Sequence, residues 1–322
     1  MNKSPEPQFP PTPLLDLPEV ARIAKVARVF VKDEGQRPLG NFKVLGGMLA
    51  GIRALDRANV HNPRLICASD GNHGLAVAAA AKHCGAISRI YLPTGASIER
   101  AARIRSEGGE IAWITGTYDD AVNAAAAAAE QGEGILVPDT TSKASDPIVD
   151  DVMLGYGRIC HELLSQLPEA PTHVFVQAGV GGLAAALAIG LRDYMAEPAH
   201  IIVVEPEAAA CVSEGLTAGR PVQIEGDLET CAEMLSCGLA SAPALEILIK
   251  CESRSLLVNE LALERSVRTL KECEGPLTTP SGAAGLAGLL HAAGNKDLRN
   301  RLDLGSNSKV LLIATERNLS SP

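Results

Sequence analysis

Aromatic residues are scarce. Four Phe, four Tyr and one Trp make up 3% of 322 residues, too few for the stacking platforms of a single-stranded nucleic-acid binder. Positive charge is not in surplus either: 29 basic side chains face 38 acidic ones, for a formal net charge of −9. That balance excludes broad phosphate-backbone binding, so no nucleic-acid partner is expected. No run of about 18 uncharged apolar residues suggests a membrane partner. The N-terminal stretch MNKSPEPQFPPTPLL is proline-rich and lacks the apolar core of a secretion signal. The eight cysteines form no CxxC pair, and no His, Cys or carboxylate pairs recur at ligand spacing. Neither a disulfide framework nor a metal site is therefore expected, and reduced thiols point to a cytoplasmic location. The GxSxG elbow of a serine hydrolase is missing as well.

What is present is an ordinary globular balance, 46% apolar and 21% charged, enough for a substantial core. Short aliphatic runs alternate with helical patterns, which predicts an α/β fold of mostly parallel sheets with crossover helices. Strands are read at 28–34, 64–69, 88–93, 110–115, 134–139, 172–179, 200–206 and 308–316. Helices are read at 43–55, 73–83, 97–107, 118–130, 148–166 and 181–195, the fourth containing an unbroken run from Ala124 to Ala129. The chain between the last two strands reads as mostly helical, and 140–147 as a polar loop. These runs predict two lobes, each an open, mostly parallel sheet flanked by helices. The smaller α/β domain is placed at 45–145, and the larger one at 1–44 plus 146–322.

Open α/β sheets bind ligands beyond the carboxyl ends of their strands. Four strands end in conspicuous small or polar groups: Ser69-Asp70-Gly71-Asn72-His73, Asp139-Thr140, Gly179-Val180-Gly181-Gly182 and Thr315-Glu316. The segment 178–190 is a strand, a glycine turn and a helix, a combination suited to a phosphate. Ala184 in place of the last glycine keeps a dinucleotide site open, although the first acid beyond it at a strand end, Glu205, comes late. A tight packing turn would look the same. Lys43 opens a helix with no further charge before Arg53. The helix dipole and apolar neighbours both lower an amine pKa there, as a Schiff-base lysine requires. A surface lysine at a helix end is the ordinary alternative. Taken singly, Asp70 and Asp139 also suit helix caps or turns, and His73 a satisfied histidine.

Taken together, Thr12-Pro13-Leu14, Asn41-Phe42-Lys43, Ser69-Asp70-Gly71-Asn72-His73-Gly74, Gly179-Val180-Gly181-Gly182-Leu183 and Thr315 resemble the pyridoxal-phosphate enzymes of fold type II, the tryptophan synthase β-like family. Within it, the Asp before Gly71 is similar to the diaminopropionate ammonia-lyases. Pro138-Asp139-Thr140, Met153-Leu154-Gly155-Tyr156 and Ala232-Glu233-Met234-Leu235-Ser236-Cys237-Gly238 are similar too. Thr141-Ser142-Lys143 and Arg317 depart from that pattern. The resemblance implies pyridoxal 5'-phosphate as cofactor, a small amino acid as substrate and a homodimer. It implies β-elimination, of ammonia from 2,3-diaminopropionate or, alternatively, of water from threonine or serine. Lys43, Asp70 and Asp139 would be catalytic. Lys43, Asn72, Gly179, Val180, Gly181, Gly182, Leu183 and Thr315 would bind the cofactor, with Thr315 facing the pyridine nitrogen. Ser69, Asp70, Gly71, His73 and Asp139 would bind substrate. A nicotinamide oxidoreductase built on the 179–184 turn is the more distant alternative.

Overall fold

The computed structural model describes residues 5–58, 63–69 and 71–318. It divides into two compact units. One holds Lys43–Thr141 and Ser145–Tyr156 with the N-terminal stretch up to Phe9; the other holds Pro10–Phe42, Ser142–Ala144 and the chain from Gly157 onward. The strands are β1 (Leu14–Asp16), β2 (Arg28–Asp33), β3 (Arg64–Ala68), β4 (Ile87–Pro93), β5 (Gly109–Ile114), β6 (Ile135–Leu136), β7 (His173–Gln177), β8 (His200–Pro206), β9 (Arg254–Val258) and β10 (Lys309–Ala314). The helices are α1 (Pro18–Ala24), α2 (Lys43–Ala58), α3 (Asn72–His83), α4 (Ile98–Ser106), α5 (Tyr118–Glu130), α6 (Pro147–Gln166), α7 (Gly182–Leu191), α8 (Cys211–Ala218), α9 (Ala242–Lys250), α10 (Glu260–Glu272), α11 (Pro280–Gly294) and α12 (Lys296–Arg301). Among the described residues no helix is long and apolar enough to cross a membrane.

The first unit carries a four-stranded parallel sheet in the order β5-β4-β3-β6. Helix α5 starts at a capping box: Thr117 Oγ1 accepts from the Asp120 N–H, and the Asp120 carboxylate accepts from the Thr117 N–H at 2.7 Å. Its Ala121, Ala125 and Ala128 lie buried with Ile66 and Tyr91, so the alanine run is the small-residue face of a helix lying close on a sheet. The strand expected at 134–139 shrinks to Ile135–Leu136. Pro138 has no N–H to continue the ladder, and the Val137 carbonyl accepts instead from the His73 ring at 2.8 Å.

The second unit carries a six-stranded sheet in the order β1-β2-β10-β7-β8-β9, parallel except for β1. Strand β9 lies where the sequence reads as mostly helical. The apolar run there is only Leu256-Leu257-Val258, too short for periodicity to separate strand from helix. Val29, Val31, Phe175, Ile202, Val204 and Leu312 join Ala283, Ala284 and Ala287 of α11 in one buried core.

Thr12-Pro13-Leu14 leads into a buried charge network in this unit. Glu162 accepts from Lys32 Nζ at 2.7 Å and from Arg37 Nη1 and Nη2 at 2.8 and 2.7 Å. Lys32 also donates to the Thr12 carbonyl at 2.8 Å, and Thr12 Oγ1 donates to Glu34 at 2.7 Å. Burial would raise the Glu162 pKa, but hydrogen bonds and charge from Arg37 and Lys32 bring it down to about 2. Glu162→Gln should cost about 3–5 kcal/mol, the scale of stranding buried charges. A depressed carboxyl stabilises the fold above its unfolded pKa of about 4.3 and loses that contribution as pH falls toward its folded value. Denaturant midpoints followed from about pH 6 to about pH 3 should fall more steeply for the wild type than for Glu162→Gln. Parallel curves would count against the network.

Candidate active site

In the first unit, Lys43 is the first residue of α2, and its Nζ donates to Asp139 Oδ2 at 2.6 Å. Both side chains are largely covered, 21% and 16% exposed. Burial would raise the Asp139 pKa, but the Lys43 charge, then His73, and the hydrogen bond from Lys43 hold the carboxyl well below the usual range. Asp139 is therefore a carboxylate that needs a cation.

Glycines set the position of α2. A Cβ on Gly47 or Gly51 would lie 2.6 or 2.7 Å from the side chain of Ala76 or Ala80, so α2 and α3 pack nearly backbone to backbone. Gly155 touches α2 in the same way at Leu45 and Gly46, and places Tyr156 against Gly46. Tyr156 is buried; burial pushes its phenol up to about 12, with the Lys43 charge pulling the other way.

His73 lies in the first turn of α3, buried, with Nε2 against the Val137 carbonyl. A carbonyl only accepts, so this nitrogen carries the proton. Burial chiefly, with the Lys43 charge, lowers the His73 pKa, although Asp139 and the bond to Val137 oppose this. Its bond to Val137 ties down the segment that presents Asp139. Ser69 Oγ accepts from the Gly71 N–H at 3.2 Å, shaping the turn ahead of Asn72. Asp70 lies outside the described residues.

In the second unit, Gly179-Val180-Gly181 links β7 to α7. Gly181 has φ +94°, in the left-handed region. The Val180 carbonyl accepts from the Ser241 N–H at 2.9 Å, and the Gly181 carbonyl from the Ala185 N–H. A Cβ on Gly179 would lie 2.9 Å from Cys237 Sγ. No side chain caps α7, and among the described residues the N–H groups of Gly182, Leu183 and Ala184 donate to no protein acceptor. Such a cradle fits the phosphate of pyridoxal phosphate: backbone donors at the positive end of a helix. Thr315 follows β10, the neighbour of β7, at the same edge of the sheet. It is buried, and its Oγ1 accepts from Gln177 Nε2 at 3.1 Å.

Gly181→Val tests the cradle. A Cβ there would find ordinary contacts of 3.4–3.6 Å, so the strain lies in φ rather than in space. The turn should reshape and the cofactor Kd rise about tenfold or more. A titration showing wild-type affinity would contradict the assignment.

Sequence reasoning left two residues outside the candidate set, Tyr156 and Gln177. Gln177 did carry a signal, as the one polar residue in the apolar run VFVQAG. Tyr156 belongs to the family-like stretch Met153-Leu154-Gly155-Tyr156, but its place beside Lys43 depends on contact between distant helices. At Arg317, where the family pattern has a glycine, the chain compensates. Gly40, at φ +71°, leaves room for the Arg317 side chain, whose Nε would lie 2.7 Å from a Cβ. The Arg317 N–H donates to the Gly40 carbonyl at 3.0 Å.

The profile of the family described as "Pyridoxal-phosphate dependent enzyme" matches residues 6–316. The chain is 32% identical to the diaminopropionate ammonia-lyase of Escherichia coli strain K12, over 96% of this chain and 84% of the relative. It is 29% identical to a human serine dehydratase-like protein, over 88% and 83%. A crystal structure of the Escherichia coli diaminopropionate ammonia lyase with an aminoacrylate–PLP intermediate superposes with a TM-score of 0.86 at 29% identity, covering 97% of this chain and 85% of that one. A profile match over nearly the whole chain, a phosphate cradle at the head of α7 and a largely covered lysine at the head of α2 lead to one conclusion: this chain belongs to the pyridoxal-phosphate dependent enzymes of fold type II.

Proposed function

We propose that this chain eliminates ammonia from Cβ of 2,3-diaminopropionate, which with one water gives pyruvate and two ammonia. The observation that carries this reading is the grip of Asp139 on a primary amine, the Nζ of Lys43, at 2.6 Å. As anchor or as base for Cα, Nζ is uncharged, so the largely covered Asp139 carboxylate needs another cation. The β-ammonium of diaminopropionate supplies one; the hydroxyl of serine or threonine does not. The 32% identity to a diaminopropionate ammonia-lyase supports the same choice.

Bound pyridoxal phosphate supplies a carbonyl that condenses with the substrate α-amine and a ring that withdraws electrons from Cα. The N–H groups of Gly182, Leu183 and Ala184 would hold its phosphate, and Asn72 would serve its 3-hydroxyl. Lys43 anchors it, and Nζ also removes the Cα proton. Asp139 holds the β-nitrogen as an ammonium, so that it departs as neutral ammonia. Asp70, read from the Ser69-Asp70-Gly71-Asn72 motif, is a second base for the opposite face of Cα. Ser69, Gly71 and His73 shape the substrate side, and the His73 ring holds the segment carrying Asp139. A cytoplasmic setting is supported by eight thiols joined in no disulfide; the homodimer rests on the family resemblance.

A substrate panel tests the reading. With saturating cofactor, kcat/KM should be higher for 2,3-diaminopropionate than for serine or threonine. A faster turnover of serine would replace it with a dehydratase.

A further inference from the structure

Gln177 ends β7 with its amide buried between β10 and the start of α11. Nε2 lies 3.1 Å from the Ser281 carbonyl, 3.0 Å from the Gly282 and Ile313 carbonyls, and 3.1 Å from Thr315 Oγ1. Three of these four oxygens can only accept, so the amide orientation is determined: the amino group faces them. Gly285 holds it there. A Cβ at that position would lie 2.6 Å from the Phe175 carbonyl and 3.2 Å from Gln177 Oε1, so α11 seats directly on β7 and on the amide.

The consequence falls on Thr315. Its Oγ1 accepts a hydrogen bond from Gln177 Nε2, which cannot accept in return, so the Thr315 hydroxyl proton must go elsewhere. Among the described residues that proton has no protein acceptor, although Thr315 is only 4% exposed. A buried hydroxyl in this state is a donor awaiting a lone pair. We infer that Gln177 is a positioning residue that fixes Thr315 as a one-way hydrogen-bond donor, toward the lone pair of the cofactor's pyridine nitrogen. This rests on the proposed placement of Thr315 at the cofactor and adds the residue that sets its polarity. Without Gln177 the Thr315 hydroxyl loses the bond that fixes its rotation and can present its oxygen to the ring, an arrangement that suits a protonated nitrogen.

A double-mutant cycle tests this on the holoenzyme and on apoenzyme titrated with pyridoxal phosphate. The readouts are the cofactor's absorbance and fluorescence, their pH dependence, and its Kd. Thr315→Val removes the hydroxyl at constant shape and should raise Kd about tenfold, the scale of one hydrogen bond, with a changed spectrum. Gln177→Met should change the spectrum as well, making it pH-dependent, and raise Kd several-fold. The double variant should be no worse than Thr315→Val alone, because Gln177 acts through the hydroxyl. If Gln177→Met does not fold, Gln177→Glu carries the test. Facing three carbonyls its carboxyl stays protonated, keeps one donor, and should give a partial change. Effects on Kd that multiply in the double variant, or an unchanged spectrum in the Gln177 variants, would overturn the inference alone. A Thr315→Val protein with wild-type spectrum and Kd would overturn the placement of Thr315, and the inference with it.

Discussion

Lys43→Ala should abolish β-elimination, lowering turnover about 10³-fold or more, the scale for losing both a covalent anchor and a proton-transfer group. After borohydride reduction and digestion, the wild type should carry a pyridoxyl group on Lys43; the variant should carry none. Cofactor binding itself should survive in weakened form, because the N–H donors of Gly182, Leu183 and Ala184 do not depend on the lysine. The variant should also release Asp139. Its carboxyl is held low by the Lys43 charge against the opposing effect of burial, so without Lys43 burial dominates and its pKa should rise. A reducible label at wild-type strength in Lys43→Ala would rule the lysine out as the anchor.

Asp139→Asn should separate substrates rather than silence the enzyme. Asparagine keeps the shape and a carbonyl oxygen but loses the charge that pairs with an ammonium. Breaking a buried charged pair typically costs about 2–5 kcal/mol, so kcat/KM for 2,3-diaminopropionate should fall about 100-fold. Any activity on serine should stay within a few-fold, since its hydroxyl brings no cation to the carboxylate. Equal losses on both substrates would mean that Asp139 serves Lys43 or the fold and not the substrate's second amine.

The elements around the candidate site were legible because their signals are local. The Lys43 helix, the glycine turn and the strands β3, β7, β8 and β10 each carry a period or punctuation of their own. What escaped depends on partners far away in the chain. The strand at 134–139 ends early at Pro138, which has no N–H for the ladder, and the Val137 carbonyl turns to the ring of His73, more than sixty residues away. Strand β9 is a short apolar run whose state is decided by β8 beside it. Lys43 and Asp139 were each placed in the candidate set by motif, but their pairing is a property of the folded unit. Thr12 was recognised by resemblance, and its reason is physical: it ties the N-terminal segment into the Lys32–Glu162–Arg37 network. Gln177 was passed over because its four oxygen partners come from residues more than a hundred positions downstream.

The account turns on whether a second amine leaves. The direct measurement is the ratio of ammonia to pyruvate when the holoenzyme is given an equimolar mixture of 2,3-diaminopropionate and serine. Elimination from diaminopropionate yields two ammonia per pyruvate, and elimination from serine yields one. An initial ratio close to two is expected; a ratio close to one would contradict elimination from diaminopropionate.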